Sequence, residues 1–419
     1  MAKKQEVRER IPVADLEIGL FVDLEMGWSD HPFLFSQFLI KTKKDISAIQ
    51  RLGIKSITII PSKCKVDLPK IEESAAEEDE ESAEALWDEK KKHVDQAREY
   101  REKRRDVARR FHEQAKKVRK LTSQMKSEPA NAIFNADEVV EDIVSQFDTE
   151  GDLVTNLINL GSGEHNTYNH SVNVTMLSLL LGSVEGLNVE EMRQLAMGAL
   201  LHDIGMIEVP GSIVMKKTPL NRAERDILQR HTIHGKKLTE RVRNLPKGCL
   251  DIIEHHHEFL DATGFPHQLA APQLTKLTRI VAVANTYDNL CNPKDISKAV
   301  TPKTALAMMY TKYKDKLDRE LVEHFIRNLG VYPPGTVVRL DDGSIGLVIS
   351  VDPKNLLCPE VLLYNPDIPK EDALIVALAE QPELKVQDVL TPDQYPSRIY
   401  SYLGIEERIG YFVESATKR

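Results

Sequence analysis

Short apolar runs alternate with turn residues between residues 11 and 68. This pattern predicts strands in LEIGLFVDLE, FLFSQFLI and IKSITIIP. In the same region, KKDISAIQRLG has helical spacing and ends at Gly53, a residue type that favours a helix C-terminus. Together these elements predict a small α+β domain.

Helical periodicity extends from about residue 130 to residue 330. Apolar residues recur three and four positions apart in AIFNADEVVEDIVSQF, VNVTMLSLLLGSV and EEMRQLAMGALLHDIG. Asn221 and Glu224 have the spacing of a capping box, with Asn in place of Ser or Thr, which predicts a helix start. After YPPG, the pattern changes to two strands around an Asp-Gly turn in TVVRLDDGSIGLVISV, followed by PEVLLY.

Between these regions the charge changes sign. Residues 70 to 90 are acidic with few apolar positions, which predicts a solvated linker. The basic segment KKKHVDQAREYREKRRDVARRFHEQAKKVRK predicts a long exposed helix that would suit a homodimer contact. The predicted fold class is mainly α, a helical bundle with a small α+β domain and a short β appendage. We divide the chain into an α+β domain (1–69), a linker and charged helix (70–128), a helical domain (129–335), and a C-terminal β appendage and tail (336–419).

Composition excludes several classes of protein. The net charge of −9 argues against binding to duplex nucleic acid. The N-terminus does not resemble a signal peptide, and runs such as MLSLLLG are too short to span a bilayer, so we expect a cytoplasmic protein without membrane contact. The four cysteines have no CxxC spacing and are expected to be free thiols.

Nine of the thirteen histidines lie between His165 and His267. A single histidine on an apolar helix is usually a core residue, but a dense cluster threaded through apolar helices favours metal binding. His202 and Asp203 end an apolar helical run, where a carboxylate can bridge two ions and a neutral imidazole cannot. Further candidate ligands lie before and after this pair, at His170, His231, residues 255–257 and Asp288.

The order of these motifs resembles the HD superfamily of metal-dependent phosphohydrolases, and in particular its HD-GYP branch. The motifs of that branch read approximately HDxGK and HHExxDGxGYP. Here they read HDIGM from His202 and HHEFLDATGFP from His256, while IVMKKTPLNRAE and RHTIHG resemble two further motifs. The resemblance covers roughly residues 150 to 335, and it implies that the helical domain (129–335) is an HD-type helical bundle with catalytic function. Residues 11 to 68 resemble the small uncharacterised domain that often precedes HD-GYP domains.

The resemblance also implies a ligand set and a substrate-binding set. It implies two divalent metal ions, iron or manganese with zinc as an alternative, held by His170, His202, Asp203, His231, His256, His257, Asn285 and Asp288. Asp203 would bridge the ions, and Asp203 and Lys216 are the predicted catalytic residues. The substrate would contact Lys216, Lys217, Asp261, Gly264, Phe265 and Pro266. By the same alignment His255 is an extra histidine, and Glu258 is expected to orient a ligand imidazole.

The implied activity is hydrolysis of cyclic di-GMP to the linear dinucleotide pGpG and onward to GMP. Two adjacent ions suit a phosphodiester because they activate water and neutralise phosphoryl oxygens. In four departures from the family pattern, a lysine, a glycine, a tyrosine and an aspartate are replaced by Met206, Ala262, Phe265 and Asn285, respectively. Those at Met206, Ala262 and Asn285 favour the alternative of a catalytically weak or inactive cyclic di-GMP receptor, which would signal to a protein partner through its N-terminal domain or its Gly-Phe-Pro rim.

Two other interpretations stay open. The chain could be a different HD enzyme that acts on nucleotides, although the Gly-Phe-Pro stretch and its spacing from His256 argue against this. A purely structural helical domain would leave the clustered histidines unexplained.

Overall fold

The structure is a computed structural model of the protein. It describes residues 7–65, 79–160, 167–216, 218–242, 245–295, 298–352, 354–381, 384–391 and 394–405. These residues form two compact units, one within Met1–Arg101 and Asn365–Ile375, and the other within Glu102–Tyr364 and Val376–Arg419. The division at residue 335 that we predicted did not anticipate that a C-terminal segment joins the first unit.

A small antiparallel sheet and one helix begin the first unit. Its elements are β1 (Glu9–Pro12), β2 (Phe21–Asp23), β3 (Gln37–Leu39), α1 (Lys43–Arg51) and β4 (Ser56–Ile59). The strand order is β1-β4-β2-β3, and buried Val22, Ile49 and Ile57 help to form the core beneath it. β1 was not predicted, because the charged stretch around it does not alternate between apolar and polar residues.

The helix α2 (Asp79–Gln124) is longer than predicted. It starts inside the acidic stretch that we interpreted as a linker, because runs of Glu, Ala and Lys are good helix formers even without an apolar stripe. Within the first unit, the Lys90 ammonium donates to the backbone oxygen of His31 at 2.7 Å and lies 3.9 Å from the Trp28 ring centre. Trp28 is buried and forms a core cluster with Val94, Ile368 and Leu374 in this unit.

The second unit is helical, as its periodicity predicted. Its helices are α3 (Pro129–Leu160), α4 (Thr167–Val184), α5 (Val189–Leu201), α6 (Gly211–Val214), α7 (Arg222–Gln229), α8 (His231–Thr239), α9 (Lys247–His255), α10 (Lys276–Cys291), α11 (Pro302–Thr311) and α12 (Arg319–Leu329). α4 is apolar on most sides and therefore lies inside the bundle, against α3, α5 and α10. Asn221 and Glu224 form the predicted capping box at the start of α7.

A sheet and a short helix end the described chain. They are β5 (Val337–Leu340), β6 (Ile345–Ser350), β7 (Glu360–Tyr364), β8 (Ile375–Ala377), β9 (Val386–Val389) and α13 (Ser397–Leu403). The strand order is β8-β7-β6-β5-β9, with β5 and β6 joined by the predicted Asp-Gly turn. The predicted fold class is confirmed. No helix in the described part of the chain is both long enough and apolar enough to cross a membrane.

Candidate metal centre

Four histidines of the second unit are held at the beginnings and ends of helices. His170 lies in the first turn of α4, His202 directly follows α5, His231 begins α8 and His256 directly follows α9. Packing of α4 and α9 against α5, and of α8 against α9, brings these helix ends together. Residues distant in the sequence therefore meet at one buried point.

The backbone fixes which ring nitrogen faces this point. Nδ1 of His202, His231 and His256 lies 2.7 Å from the Ala199 oxygen, 2.8 Å from the Leu228 oxygen and 3.1 Å from the Ile253 oxygen, respectively. A carbonyl oxygen only accepts hydrogen bonds, so each Nδ1 must carry the proton. Each Nε2 is then left with a lone pair, which is the form of imidazole that binds a metal.

The Nε2 atoms face each other in two pairs. The distance is 3.2 Å between His170 and His202, and 3.3 Å between His231 and His256. Two lone pairs cannot hydrogen-bond to each other. Ligand atoms around a tetrahedral ion are about 3.3 Å apart when its bonds to nitrogen are about 2.0–2.1 Å long. The donors therefore fit divalent metal ions.

Asp203 lies between the two pairs. Its Oδ1 is 3.1 Å from His231 Nε2 and 3.7 Å from His256 Nε2, and its Oδ2 is 3.6 Å from His202 Nε2 and 3.9 Å from His170 Nε2. Each carboxylate oxygen thus faces one histidine pair. Two groups of ligand atoms, each within 4.8 Å, share this residue: His170, His202 and Asp203, and Asp203, His231, His256 and His257.

A glycine allows Asp203 to approach His231. Asp203 precedes a 3-10 helix, Ile204–Glu208, which packs against α8. A Cβ atom on Gly205 would lie 1.9 Å from the His231 oxygen and 2.4 Å from the Gly235 nitrogen. Any side chain at this position would therefore separate the two backbones and move Asp203 away from His231.

Burial and mutual charge set the protonation of the site. Burial lowers the pKa of His202 to about 3 and holds that of His257 well below its usual range. Burial alone would raise the pKa of Asp203, but the neighbouring rings of His202, His231 and His256 hold it well below its usual range. At neutral pH the carboxylate is ionised and the His202 and His257 rings are neutral, as metal binding requires.

Asp288, one of the predicted ligands, holds His170 instead of joining either group. Its Oδ2 accepts from His170 Nδ1 at 2.6 Å, and its Oδ1 accepts from Asn173 at 2.8 Å and from Asn292 at 2.7 Å. Burial opposes protonation of His170, but the Asp288 carboxylate raises the pKa of the ring. The contacts made by Asp288 are those of a residue that orients a ligand imidazole.

Two asparagines complete this corner of the site. Asn285, the other predicted ligand on α10, is buried and hydrogen-bonded to His170, and its Oδ1 accepts from Asn289 at 2.6 Å. Asn173 was missed by the sequence analysis. Its position three residues after His170, on the same face of α4, was the available signal.

The predicted phosphate-binding lysines have different outcomes. Nζ of Lys216 lies 2.7 Å from both carboxylate oxygens of Glu224, the residue that also caps α7. The phosphate contact of Lys216 therefore stays a prediction. Lys217 lies outside the described residues.

The loop after His257 forms a rim beside the centre. The Phe265 ring stacks on the His257 ring, with centres 4.5 Å apart. The backbone N–H of Phe265 donates to the backbone oxygen of His257 at 3.2 Å. The Phe265–Pro266 bond is cis. The Asp261 carboxylate accepts from the Thr263 N–H at 3.0 Å and hydroxyl at 2.6 Å, so it stabilises a turn in this loop.

The expected role of Glu258 was wrong. Its carboxylate accepts from the backbone N–H groups of His267, at 2.6 Å, and Leu269, at 3.0 Å. It therefore fixes the end of the rim loop and does not orient a ligand imidazole. His255 lies in a different group, with Glu254 and His267.

A helical bundle with a His-Asp pair at the end of one helix, joined by histidines from neighbouring helices, defines the HD class of domain. Residues 152–321 match the family described as "HD domain", and residues 8–136 match "Domain of unknown function (DUF3391)". The predicted resemblance is confirmed, because the two regions match these two families in the predicted order.

Characterised relatives match different shares of the chain. The chain is 29% identical over 359 residues to "Cyclic di-GMP phosphodiesterase PA4108" of Pseudomonas aeruginosa, which covers 85% of each protein. It is 33% identical over 144 residues to "Cyclic di-GMP phosphodiesterase response regulator RpfG" of Xanthomonas campestris pv. campestris, covering 34% of this chain and 38% of that relative. A solved HDG"Y"P protein from Bdellovibrio bacteriovorus is 17% identical, with a TM-score of 0.43, over 76% of this chain and 98% of that chain.

Proposed function

We propose that this protein is a metal-dependent phosphodiesterase that hydrolyses cyclic di-GMP to linear pGpG and onward to GMP. The observation that carries the proposal is Asp203, whose carboxylate two groups of histidines share. A carboxylate between two sets of imidazoles suits a pair of ions, and paired ions suit phosphodiester hydrolysis. The relatives named as cyclic di-GMP phosphodiesterases supply the substrate class.

In this proposal His170, His202 and Asp203 hold one ion, and Asp203, His231, His256 and His257 hold the other. Mixed imidazole and carboxylate donors suit iron or manganese, with zinc as the alternative. Asn285 stays a predicted neutral ligand at the His170 end. Asp288 acts through His170, whose Nδ1 it engages at 2.6 Å.

Bound ions would lower the pKa of a water molecule and neutralise the phosphoryl oxygens as charge develops. The chain's own residues prepare the site. Asp203 stays ionised and so keeps both oxygens available. The Phe265 ring covers the His257 ring and shields it from water. Lys216 would exchange the Glu224 carboxylate for a phosphate when substrate binds, and Lys217, Asp261, Gly264 and Pro266 stay predicted substrate contacts.

The proposal is tested by reconstituting the purified protein anaerobically with ferrous iron or manganese and adding cyclic di-GMP. We expect chromatography to show pGpG or GMP, and we expect both products to be lost in the His202→Ala/Asp203→Ala variant. Intact cyclic di-GMP with either metal, in protein whose metal content has been verified, would contradict the proposal.

The second candidate function is a cyclic di-GMP receptor. The ion pair of Lys216 with Glu224 favours it, since this pair neutralises a cation predicted for the phosphate. Intact substrate together with tight binding by calorimetry would identify the receptor. Its signal would then pass through the N-terminal domain or the Gly-Phe-Pro rim, and a homodimer contact through the charged helix stays a prediction.

Substitution Asp288→Asn should weaken metal binding without removing a ligand. The amide loses the charge that holds the His170 Nδ1 proton, and loss of such a partner lowers metal affinity by about 10- to 100-fold. Metal titration monitored by atomic emission measures the effect. The control is Asp142→Asn, which removes a surface charge paired with Lys117. Equal affinities in the two variants would show that Asp288 does not position His170.

A further inference from the structure

A second group of metal-binding side chains lies beside the centre. Glu254 and His255 end α9, and His267 follows the Gly-Phe-Pro rim. Glu254 Oε1 is 3.0 Å from His267 Nε2, and Glu254 Oε2 is 3.3 Å from His255 Nε2. One ligand atom from each residue lies within 4.8 Å of the other two. None of the three residues has a role in the proposed hydrolysis.

We propose that Glu254, His255 and His267 bind one further divalent transition-metal ion, with zinc as the best-suited probe. Two imidazoles and one carboxylate form a common protein ligand set for such ions. The 3.0 Å separation is to Oε1 of Glu254 and the 3.3 Å separation is to Oε2, so each carboxylate oxygen has one imidazole beside it. This ion is additional to those proposed at Asp203.

Contacts within the protein fix the positions of Glu254 and His267. Glu254 is buried near the end of α9. The backbone N–H of His267 donates to the Glu258 carboxylate at 2.6 Å, which fixes the position of the His267 backbone. The His267 side chain is 45% exposed, so an ion can enter from solvent. A metal site needs ligands held in place and a route for the ion, and these contacts provide both.

An ion bound here would have a structural consequence. It would tie the end of α9 to the loop that follows Pro266, and the rim residues Gly264 to Pro266 lie between these two points in the sequence. His256 and His257, which continue the chain from α9, belong to the centre. The site would therefore brace the rim next to the proposed ligands.

Substitution of Lys236 distinguishes a metal site from a network of hydrogen bonds among the same residues. Its ammonium competes with a cation for Glu254, because both need the carboxylate charge. Lys236→Met should therefore strengthen zinc binding at this site by about 10-fold, as removal of a nearby positive charge does. Unchanged or weaker zinc binding in this variant would count against the site.

The deciding experiment counts zinc ions on the full chain by equilibrium dialysis and atomic emission. We expect His267→Ala and His255→Ala each to bind one ion fewer than the wild type. His324→Ala is the matched control: its Nδ1 lies 2.5 Å from Glu185, and Glu185 also pairs with Lys276, but no second imidazole joins this cluster among the described residues. Equal zinc counts in wild type, His267→Ala and His324→Ala would overturn the proposal.

The same count in the His202→Ala/Asp203→Ala background separates this site from the centre. There we expect the further substitution His267→Ala to lower the zinc count by one ion. That result stands whether or not the wild type hydrolyses cyclic di-GMP. Circular dichroism verifies folding, and His267→Gln provides a second variant that keeps a polar side chain at this half-exposed position.

Discussion

Substitution Asp203→Asn is expected to lower the rate of cyclic di-GMP hydrolysis by about 10³-fold or more, because it weakens the binding of the ions that would activate water and neutralise the reacting phosphate. The amide keeps the shape of the side chain but loses the negative charge and one acceptor oxygen. In the structure, Asp203 Oδ1 faces His231 at 3.1 Å and Oδ2 faces His202 at 3.6 Å. No other described carboxylate belongs to both ligand groups.

Two measurements separate the possible causes of this loss. Metal content should fall below that of the wild type, and single-turnover hydrolysis should fall with it. The control is Asp226→Asn, the same chemical change at an exposed position on α7. If Asp203→Asn retained both full metal content and full activity, a shared carboxylate could not be the basis of the mechanism.

The helical unit could be predicted from the sequence because its signals are local. Apolar spacing predicted α4 and α5, and the Asn221–Glu224 pair predicted the start of α7. The long helix α2 was only partly predicted, because its acidic first part has no apolar stripe and its stability rests on intrinsic propensity. β1 is short and charged, and it forms only because β4 pairs with it.

The centre was predicted as a set of residues but not as a set of roles. The motifs predicted His202, Asp203, His231, His256 and His257, and the structure brings their ligand atoms together. The role of Asp288 depends on how α10 is rotated against α4, which no local pattern determines. That rotation places its carboxylate on Nδ1 of His170, outside both ligand groups.

Charged residues were the least predictable part of the site. Glu258 and Lys216 were assigned to a ligand imidazole and to a phosphate because of their positions in the motifs. In the structure, backbone N–H groups satisfy Glu258, and Glu224 pairs with Lys216. A long side chain can reach several partners. Which partner it binds therefore depends on its neighbours in the folded protein, and a linear motif does not contain them.

Substitution Gly264→Ala is expected to lower kcat/KM by about 100-fold, since a displacement of about 1 Å near reacting groups has an effect of this size. A Cβ atom here would lie 2.5 Å from the Glu258 Cα, 2.5 Å from the Phe259 nitrogen and 2.6 Å from the His257 oxygen. All three are backbone atoms, so no flexible side chain can move aside. The loop must shift, and it carries Phe265, whose N–H binds the His257 oxygen.

The matched control is Gly211→Ala, at the start of α6, where an added Cβ meets nothing within 4 Å. Kinetics and denaturant unfolding of both variants measure the effect, and forcing a methyl group into the rim should cost Gly264→Ala about 1–3 kcal/mol of unfolding free energy. Zinc or manganese content adds a third readout. Because the clash includes the backbone of His257, displacement of this residue should also weaken the ion proposed at His231 and His256. Gly264→Ala with the activity and metal content of Gly211→Ala would show that the rim does not support the centre.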